Sequence, residues 1–119
     1  MLNLQIINKL INELPREIDL IFRFEEHLSI LPLSAIEVLL SSSELRVESE
    51  DALFDFVIKW ARNHYTSIEE RREVLSNRVC QLIRFPNMSN HKLNDIVSCK
   101  DLDSVCALKA VLEAFRYHP

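Results

Sequence analysis

One stretch of the sequence, residues 49–60, constrains the fold more than any other part of the chain. Ser49 is a suitable helix N-cap, and Glu50 and Asp51 follow it in the first turn, where acids face the positive end of the helix dipole. Apolar residues then recur at the spacing of one helix face, at Leu53, Phe56, Val57 and Trp60. Phe54 and Ile58 widen this face until the helix is apolar over most of its circumference. Other helices must surround such a helix, which predicts a packed helical domain with its tryptophan buried.

The rest of the sequence predicts an all-α fold of about seven helices and no strands. The connections are mostly short, which favours antiparallel helix hairpins within a single domain. Proline residues mark three of the boundaries: Pro15, Pro32 and Pro86. The predicted helices cover residues 3–14, 15–28, 34–41, 49–64, 67 to the break at 86, 89–97, and a last segment capped by Asp101 or Asp103.

Two of these predicted helices begin with a capping box, in which a serine and a glutamate each satisfy a free backbone N–H. Ser34 and Ser67 are the predicted caps, with Glu37 and Glu70 three residues on. The helix after Ser67 carries an apolar stripe that we expect to be buried: Leu75, Val79, Leu82 and Ile83. The last helix has a narrow apolar stripe of its own: Val105, Leu108, Leu112 and Phe115.

The first predicted helix also carries an apolar stripe, formed by Leu4, Ile7, Leu10, Ile11 and Leu14. Left in water, this stripe would be a sticky patch. It therefore folds back onto the domain, with the reversal at Pro15, or it pairs with a second copy of the chain as a homodimer. We favour fold-back because an intramolecular partner is present at every concentration.

Composition excludes several classes of function. The chain of 119 residues contains no glycine, which rules out glycine-rich phosphate loops and dinucleotide-binding fingerprints. The net charge is −4, and Lys and Arg are scattered, so the sequence predicts no nucleic-acid partner. The adjacent Arg71 and Arg72 are interpreted as part of a solvated helix face.

The sequence predicts neither catalysis nor a cofactor or metal site. The four histidines lie in separate segments, and no CxxC or HxxxH motif occurs. Asp51 and Asp55 share a helix face, but dipole complementation explains them better than acid–base chemistry. The odd number of cysteines, Cys80, Cys99 and Cys106, predicts reduced thiols in a nuclear or cytoplasmic protein. No secretory signal or membrane-spanning run is evident, so no membrane contact is expected.

Three ordered motifs resemble the BACK domain, the helical module that follows the BTB/POZ domain in BTB-Kelch and related proteins. The first is Leu31-Pro32 and the helix after it, as far as Ser41. The second runs from Leu45 through Val47, Ser49, Glu50, Asp51, Phe54 and Val57 to Trp60. The third is Arg71-Arg72 followed by Leu82-Ile83-Arg84-Phe85-Pro86-Asn87-Met88-Ser89. The segments 54–62 and 70–75 look similar to plant light-response BTB proteins. The resemblance covers roughly residues 24–115, which gives a predicted BACK-type domain at 24–119. Residues 1–23 form a segment that does not match the family's 3-box.

The resemblance implies a non-catalytic protein–protein interaction domain from, or related to, substrate adaptors of cullin-3 RING ubiquitin ligases. Its expected partners are BTB proteins, the cullin-3 complex or an unidentified target. No BTB domain precedes the matching motifs, so we expect the isolated chain to bind cullin-3 weakly. The alternative is a small all-α regulatory protein unrelated to ubiquitin, for example a helical subunit of a transcription complex.

Most of the family-signature residues are expected to be structural: Leu31, Pro32, Val47, Ser49, Glu50, Phe54, Val57, Trp60, Arg84 and Pro86. Two further residues, Phe85 and Met88, have two interpretations. Phe85 packs between helices while Pro86 shapes the turn, or Phe85 and Met88 form a loop surface that receives a partner.

Overall fold

The computed structural model describes residues 25–42 and 49–117 of the chain. The chain divides into two compact units, with the division between Glu48 and Ser49. Every described secondary-structure element is helical, so the predicted all-α class is confirmed for these residues. The predicted first helix and its apolar stripe lie outside the described residues, so their fold-back onto the domain stays a prediction. The signature residue Val47 also lies outside the described residues.

In the first unit, residues 25–28 are helical, and helix α1 follows at Leu33–Ser41. The predicted end of the earlier helix at residue 28 is confirmed by the turn that follows it. Within residues 25–42 the buried side chains are all apolar: Leu28, Leu31, Ala35, Ile36, Leu39 and Leu40.

The capping box predicted at Ser34 is wrong. Helix α1 begins one residue earlier, with Pro32 at the N-cap position and no side-chain capping bond. The Pro32 carbonyl accepts the N–H groups of Ala35 and Ile36, each at 3.1 Å. Ser34 therefore lies inside the helix, where its backbone is helical and its hydroxyl cannot take the cap position.

The second unit begins with helix α2, Glu50–His64, which is the helix predicted from the signature motif. The Ser49 hydroxyl caps it by accepting the N–H of Ala52 at 3.0 Å. The predicted burial of Trp60 is confirmed, with only 1% of it exposed, and its ring lies near those of His64 and Tyr65. The remaining buried apolar residues of the helix are Leu53, Phe54, Phe56, Val57, Ile58 and Ala61.

The segment predicted as one helix from residue 67 to the break at residue 86 changes its winding along its length. It starts as helix α3, Ile68–Val74, whose cap Ser67 accepts the N–H of Glu70, as predicted. A π-helical turn then covers Leu75–Val79, and a 3₁₀ turn covers Cys80–Leu82. In the π turn the Cys80 N–H donates to the Leu75 carbonyl, five residues back.

This π turn inserts one residue into the helical register and changes which side chains face inward. Leu75, Val79 and Ile83 are buried as predicted, but Leu82 is only half-buried. Cys80, which the regular spacing did not place on the stripe, is buried instead.

Two further helices complete the second unit. A 3₁₀ turn at Phe85–Asn87 leads to helix α4, Asn90–Val97, which Ser89 caps by accepting the Lys92 N–H at 3.1 Å. Helix α5 covers Ser104–Tyr117 and packs against both the Phe85–Asn87 turn and α4. The core of the unit therefore combines the buried face of α2 with buried side chains of α4, α5 and the Phe85–Asn87 turn.

Candidate protein-interaction surface on helix α5

Helix α5 starts at a position fixed by an aspartate. The Asp103 carboxylate accepts the N–H of Val105 at 2.8 Å, and the Asp103 carbonyl accepts that of Ala107 at 2.9 Å. The Asp103 N–H donates to the Ser76 hydroxyl at 3.3 Å, which joins this start to the π turn. Of the two caps that the sequence allowed, Asp103 is therefore the one used, while Asp101 has a different role.

Small residues form the buried face of α5. Ala107, Ala110 and Ala114 are each at most 5% exposed, and Val111 is 7% exposed. Because alanine has only a methyl group beyond its backbone, this face lets the helix lie close to its neighbours. The larger side chains of α5 consequently point away from the core.

The apolar stripe predicted for this helix is therefore not its packing face. Its four side chains are among the exposed large hydrophobic residues: Val105 at 61%, Leu108 at 56%, Leu112 at 56% and Phe115 at 52%. We call these four residues the α5 stripe. The periodicity correctly grouped them on one face, but the alanine face, which carries less apolar area, is the one that packs.

The spacing of the α5 stripe matches that of a helix–helix seam. Successive members lie three, four and three residues apart, which is the pattern of a and d positions in a heptad repeat. Two exposed basic residues, Lys109 and Arg116, take the flanking e positions, so one edge of the stripe is basic. The surface can therefore accept an apolar helix face and can also favour an acidic edge beside it.

A buried carboxylate holds the segment that leads into α5. The Asp101 side chain is 2% exposed and binds two arginines, one from α2 and one from α3. Arg62 donates to Oδ2 through Nη2 at 2.7 Å and through Nε at 3.2 Å, and Arg71 Nε donates to Oδ1 at 2.7 Å. Three elements of the second unit are thus joined at one carboxylate.

Two opposing effects set the pKa of the Asp101 carboxyl. Burial disfavours the charged form, but the hydrogen bonds and positive charges of Arg62 and Arg71 outweigh it and hold the pKa below its ordinary value. The same contact, first through the hydrogen bond and then through the charge of Asp101, raises the pKa of Arg62. Asp101 is therefore ionised at neutral pH and acts as an anchor.

The interpretation of Arg71 and Arg72 as a solvated helix face is wrong for Arg71, whereas Arg72 is exposed as expected. The Arg71 side chain is 16% exposed, and its Nη1 donates to the Tyr65 carbonyl at 2.8 Å in addition to its bond with Asp101. Arg72 Nε donates to the Lys100 carbonyl at 2.8 Å. Both side chains reach distant backbone or carboxylate groups, which the local charge pattern could not indicate.

The acidic start of α2 is tied to the segment that carries the third motif. Glu50, 6% exposed, accepts the Arg84 backbone N–H at 3.1 Å and lies 3.5 Å from the Arg84 guanidinium. The Asp51 carboxylate accepts the Ser89 N–H at 3.0 Å and the Ser89 hydroxyl at 2.6 Å. Asp55, one turn later, pairs with Lys92 on α4. These carboxylates therefore connect helices, which agrees with a structural role for Glu50 and Arg84.

The remaining predicted site residues fall into two groups. Leu31, Phe54 and Val57 are buried, while Pro32 is exposed at the start of α1 and Pro86 is half-buried in its turn. Phe85 and Met88 are each 3% exposed, which favours their packing interpretation. Their role as partner contacts remains a prediction.

The described residues contain neither a cluster of metal-binding side chains nor a membrane-spanning helix. No group of three His, Cys, Asp or Glu side chains within residues 25–42 and 49–117 is placed to hold a metal ion. No helix in the same part of the chain has both the length and the apolarity to cross a membrane. All three cysteines are free thiols.

Comparison with known proteins places this sequence among BTB-associated domains. The family model described as BACK, BTB And C-terminal Kelch, matches residues 5–98. BTB/POZ domain-containing protein At2g46260 of Arabidopsis thaliana is 48% identical over 94 residues, or 79% of this chain and 17% of the relative. BTB/POZ domain-containing protein At4g01160 of the same plant is 40% identical over 89 residues, or 75% of this chain and 17% of the relative.

A more distant similarity extends to an animal protein. Kelch-like protein 5 of Homo sapiens is 29% identical over 90 residues, which is 75% of this chain and 11% of the relative. The chain thus spans about a sixth or less of the length of these relatives. No solved structure gives a significant match. The family match ends at residue 98, so it includes the signature helix but stops before α5.

Replacing Asp101 with asparagine should lower the free energy of unfolding at pH 7 by about 3–5 kcal/mol, since it leaves the charge of Arg71 without its buried partner. The matched control Asp95→Asn, on the exposed side of α4, should change it by less than about 1 kcal/mol. Chemical denaturation followed by circular dichroism measures both.

The decrease in unfolding free energy caused by Asp101→Asn should also depend on pH. Because the folded-state pKa is lowered, the carboxylate stabilises the fold above its unfolded pKa of about 3.9, and this contribution disappears as pH falls through the folded value. The difference between parent and Asp101→Asn should therefore be constant above about pH 5 and shrink below pH 4. A difference that grows on acidification would contradict this assignment.

Proposed function

Since this chain belongs to the BACK family, BTB And C-terminal Kelch, we propose that it is a non-catalytic protein–protein interaction module of substrate adaptors for cullin-3 RING ubiquitin ligases. The family and its BTB/POZ and Kelch-like relatives support the adaptor context. The observation that carries the interaction role is the exposed α5 stripe. Monomeric soluble proteins rarely leave four large apolar side chains together in water unless the patch receives a partner.

The chemistry of the stripe specifies the kind of partner that it fits. An amphipathic helix with apolar residues at heptad spacing would cover Val105, Leu108, Leu112 and Phe115. Acidic residues on the edge of that helix would meet the basic edge of α5. The occupant is therefore an acidic amphipathic helix of a partner protein.

A second copy of α5 fits the stripe less well. In an antiparallel pair, the basic edges with Lys109 and Arg116 would face each other. In a parallel pair they would face the opposite edge, whose positions are Ser104 and Val111 and carry no acid. Self-association through α5 is therefore the competing outcome that the binding experiments must be able to detect.

A designed three-heptad helix with leucine at a and d and glutamate at e and g should bind the purified chain. We expect a Kd of about 10 μM, equivalent to roughly −7 kcal/mol. The double variant Leu108→Glu/Leu112→Glu should weaken binding by at least about tenfold, because two apolar anchors become charged. Isothermal titration calorimetry measures the affinity of each chain.

Two further variants separate shape from charge in that titration. Val97→Glu, a 58% exposed apolar site on α4, is the matched control and should bind like the parent. The double variant Lys109→Glu/Arg116→Glu should bind the acidic helix less tightly than the parent does. It should bind a helix with lysine in place of glutamate at e and g more tightly than the parent does. No binding by the parent, equal binding by the stripe variant, or a parent dimer that the stripe variant abolishes would contradict the proposed occupant.

The adaptor context predicts a second result in cells. Tagged chain expressed in Arabidopsis thaliana cells should co-purify a BTB-domain protein and, with it, cullin-3, detected by mass spectrometry and immunoblotting. The stripe double variant should lose these proteins, while Val97→Glu should retain them. Recovery of a transcription complex in the absence of both cullin-3 and BTB-domain proteins would instead support the alternative function.

A further inference from the structure

An open cleft of about 360 Å³ lies between the first turns of α5 and the segment that follows α3. Two cysteines line it, Cys80 from the start of the 3₁₀ turn that follows the π turn and Cys106 from the first turn of α5. Cys80 is 6% exposed and Cys106 is half-buried, so a small molecule in the cleft reaches the Cys106 sulfur first. A cleft of this size falls within the range of small-molecule sites.

The two thiols line the same cleft and interact through their side chains. The Cys80 thiol donates a hydrogen bond to the Cys106 sulfur, and the Ser76 hydroxyl donates a second one. Lys109, one turn along α5, adds a positive charge, while the Asp103 carboxylate at the helix start opposes it. Glu113 also lines the cleft. The cleft thus brings two interacting thiols together with one basic and two acidic side chains.

This arrangement gives the two cysteines different reactivities. The hydrogen bond from Cys80, assisted by Ser76 and Lys109, lowers the pKa of Cys106 to about 6 despite partial burial. The same hydrogen bond, together with burial, raises the pKa of Cys80. One sulfur is therefore a thiolate at neutral pH, and its neighbour is a protonated thiol, which is the division of roles found in thiol–disulfide exchange sites.

We propose that Cys80 and Cys106 form a dithiol site that small disulfides of the glutathione class oxidise to an internal disulfide. The Cys106 thiolate attacks one sulfur of the oxidised molecule, forms a mixed disulfide and releases one thiolate, which takes a proton from water. Cys80 then loses its proton and attacks the Cys106 sulfur, which expels the second small thiol. Two protein thiols are oxidised by two electrons, and one small disulfide is reduced to two thiols.

The product would connect the segment after α3 directly to the start of α5. Val105 of the stripe and Lys109 of its basic edge line the same cleft, so the modification site adjoins the docking surface. The dithiol site does not depend on that surface, because its contacts lie within one unit and involve no partner protein.

The experiment is a mapping of the parent chain after incubation with oxidised glutathione at pH 7. Remaining thiols are blocked with N-ethylmaleimide, and tryptic peptides are identified by mass spectrometry. Two of the three thiols should be lost, a Cys80–Cys106 cross-linked peptide should appear, and Cys99 should carry the blocking group. Because this readout uses the unaltered chain, it does not depend on any variant folding.

Three single variants then assign the roles. Cys80→Ser should accumulate a stable glutathione adduct on Cys106, because the resolving thiol is missing. Cys106→Ser should react at least about tenfold more slowly, since no low-pKa thiol remains. Cys99→Ser, the matched control, should behave like the parent, since burial raises the pKa of Cys99 and its sulfur lies beside Asp101.

The pH profile provides an independent measurement. The alkylation rate of Cys106 by iodoacetamide should rise through a midpoint near pH 6, and Ser76→Ala should move this midpoint upward. Three blocked thiols in the parent, a cross-link that includes Cys99, or identical rates for Cys80→Ser and Cys106→Ser would each overturn the proposal.

Discussion

The alanine face of helix α5 is the constraint on which the exposure of the α5 stripe depends. Ala107, Ala110 and Ala114 let the helix lie close to the Phe85–Asn87 turn and to α4. A face built of larger residues would keep the helix farther from these neighbours. Because small residues do the packing, the α5 stripe remains available at the surface.

Polar contacts fix the position of this packing in the second unit. Asp101 joins α2 and α3 to the segment before α5, while Glu50 and Asp51 join the start of α2 to the segment between residues 84 and 89. Not all of these charged groups lie within the family match, since Asp101 lies beyond the matched residues 5–98. The exposed stripe and Cys106 lie on α5, the element that these contacts orient, whereas Cys80 lies on the segment after α3.

The sequence was a good guide wherever local chemistry decides the structure. Ser49 and Ser67 cap their helices, and the buried face of α2 follows its periodicity as far as Trp60. The sequence pattern was misleading at Ser34, because Pro32 occupies the cap position of that helix. It also misled at Leu82, because one extra residue in a π turn is not visible in a hydrophobic pattern.

The candidate site was harder to predict because it depends on which of two helix faces packs. The α5 stripe has a greater apolar area than the alanine face, so periodicity alone favours burial of the stripe. The partners of Asp101 and the meeting of Cys80 with Cys106 are contacts between residues 26 to 39 positions apart, and local patterns carry no information on such pairs. Only the three-dimensional structure places these groups together.

The orientation of α5 is tested most directly by comparing the unfolding free energies of Ala114→Leu and Leu108→Gln. Both substitutions keep a good helix former, so they differ mainly in the face that they alter. Ala114 is 0% exposed, and the larger side chain should cost about 1–3 kcal/mol by overpacking, whereas Leu108→Gln should change the stability by only about 0.5 kcal/mol. The reverse order, with Leu108→Gln strongly destabilised and Ala114→Leu unaffected, would contradict an exposed α5 stripe and with it the proposed docking surface.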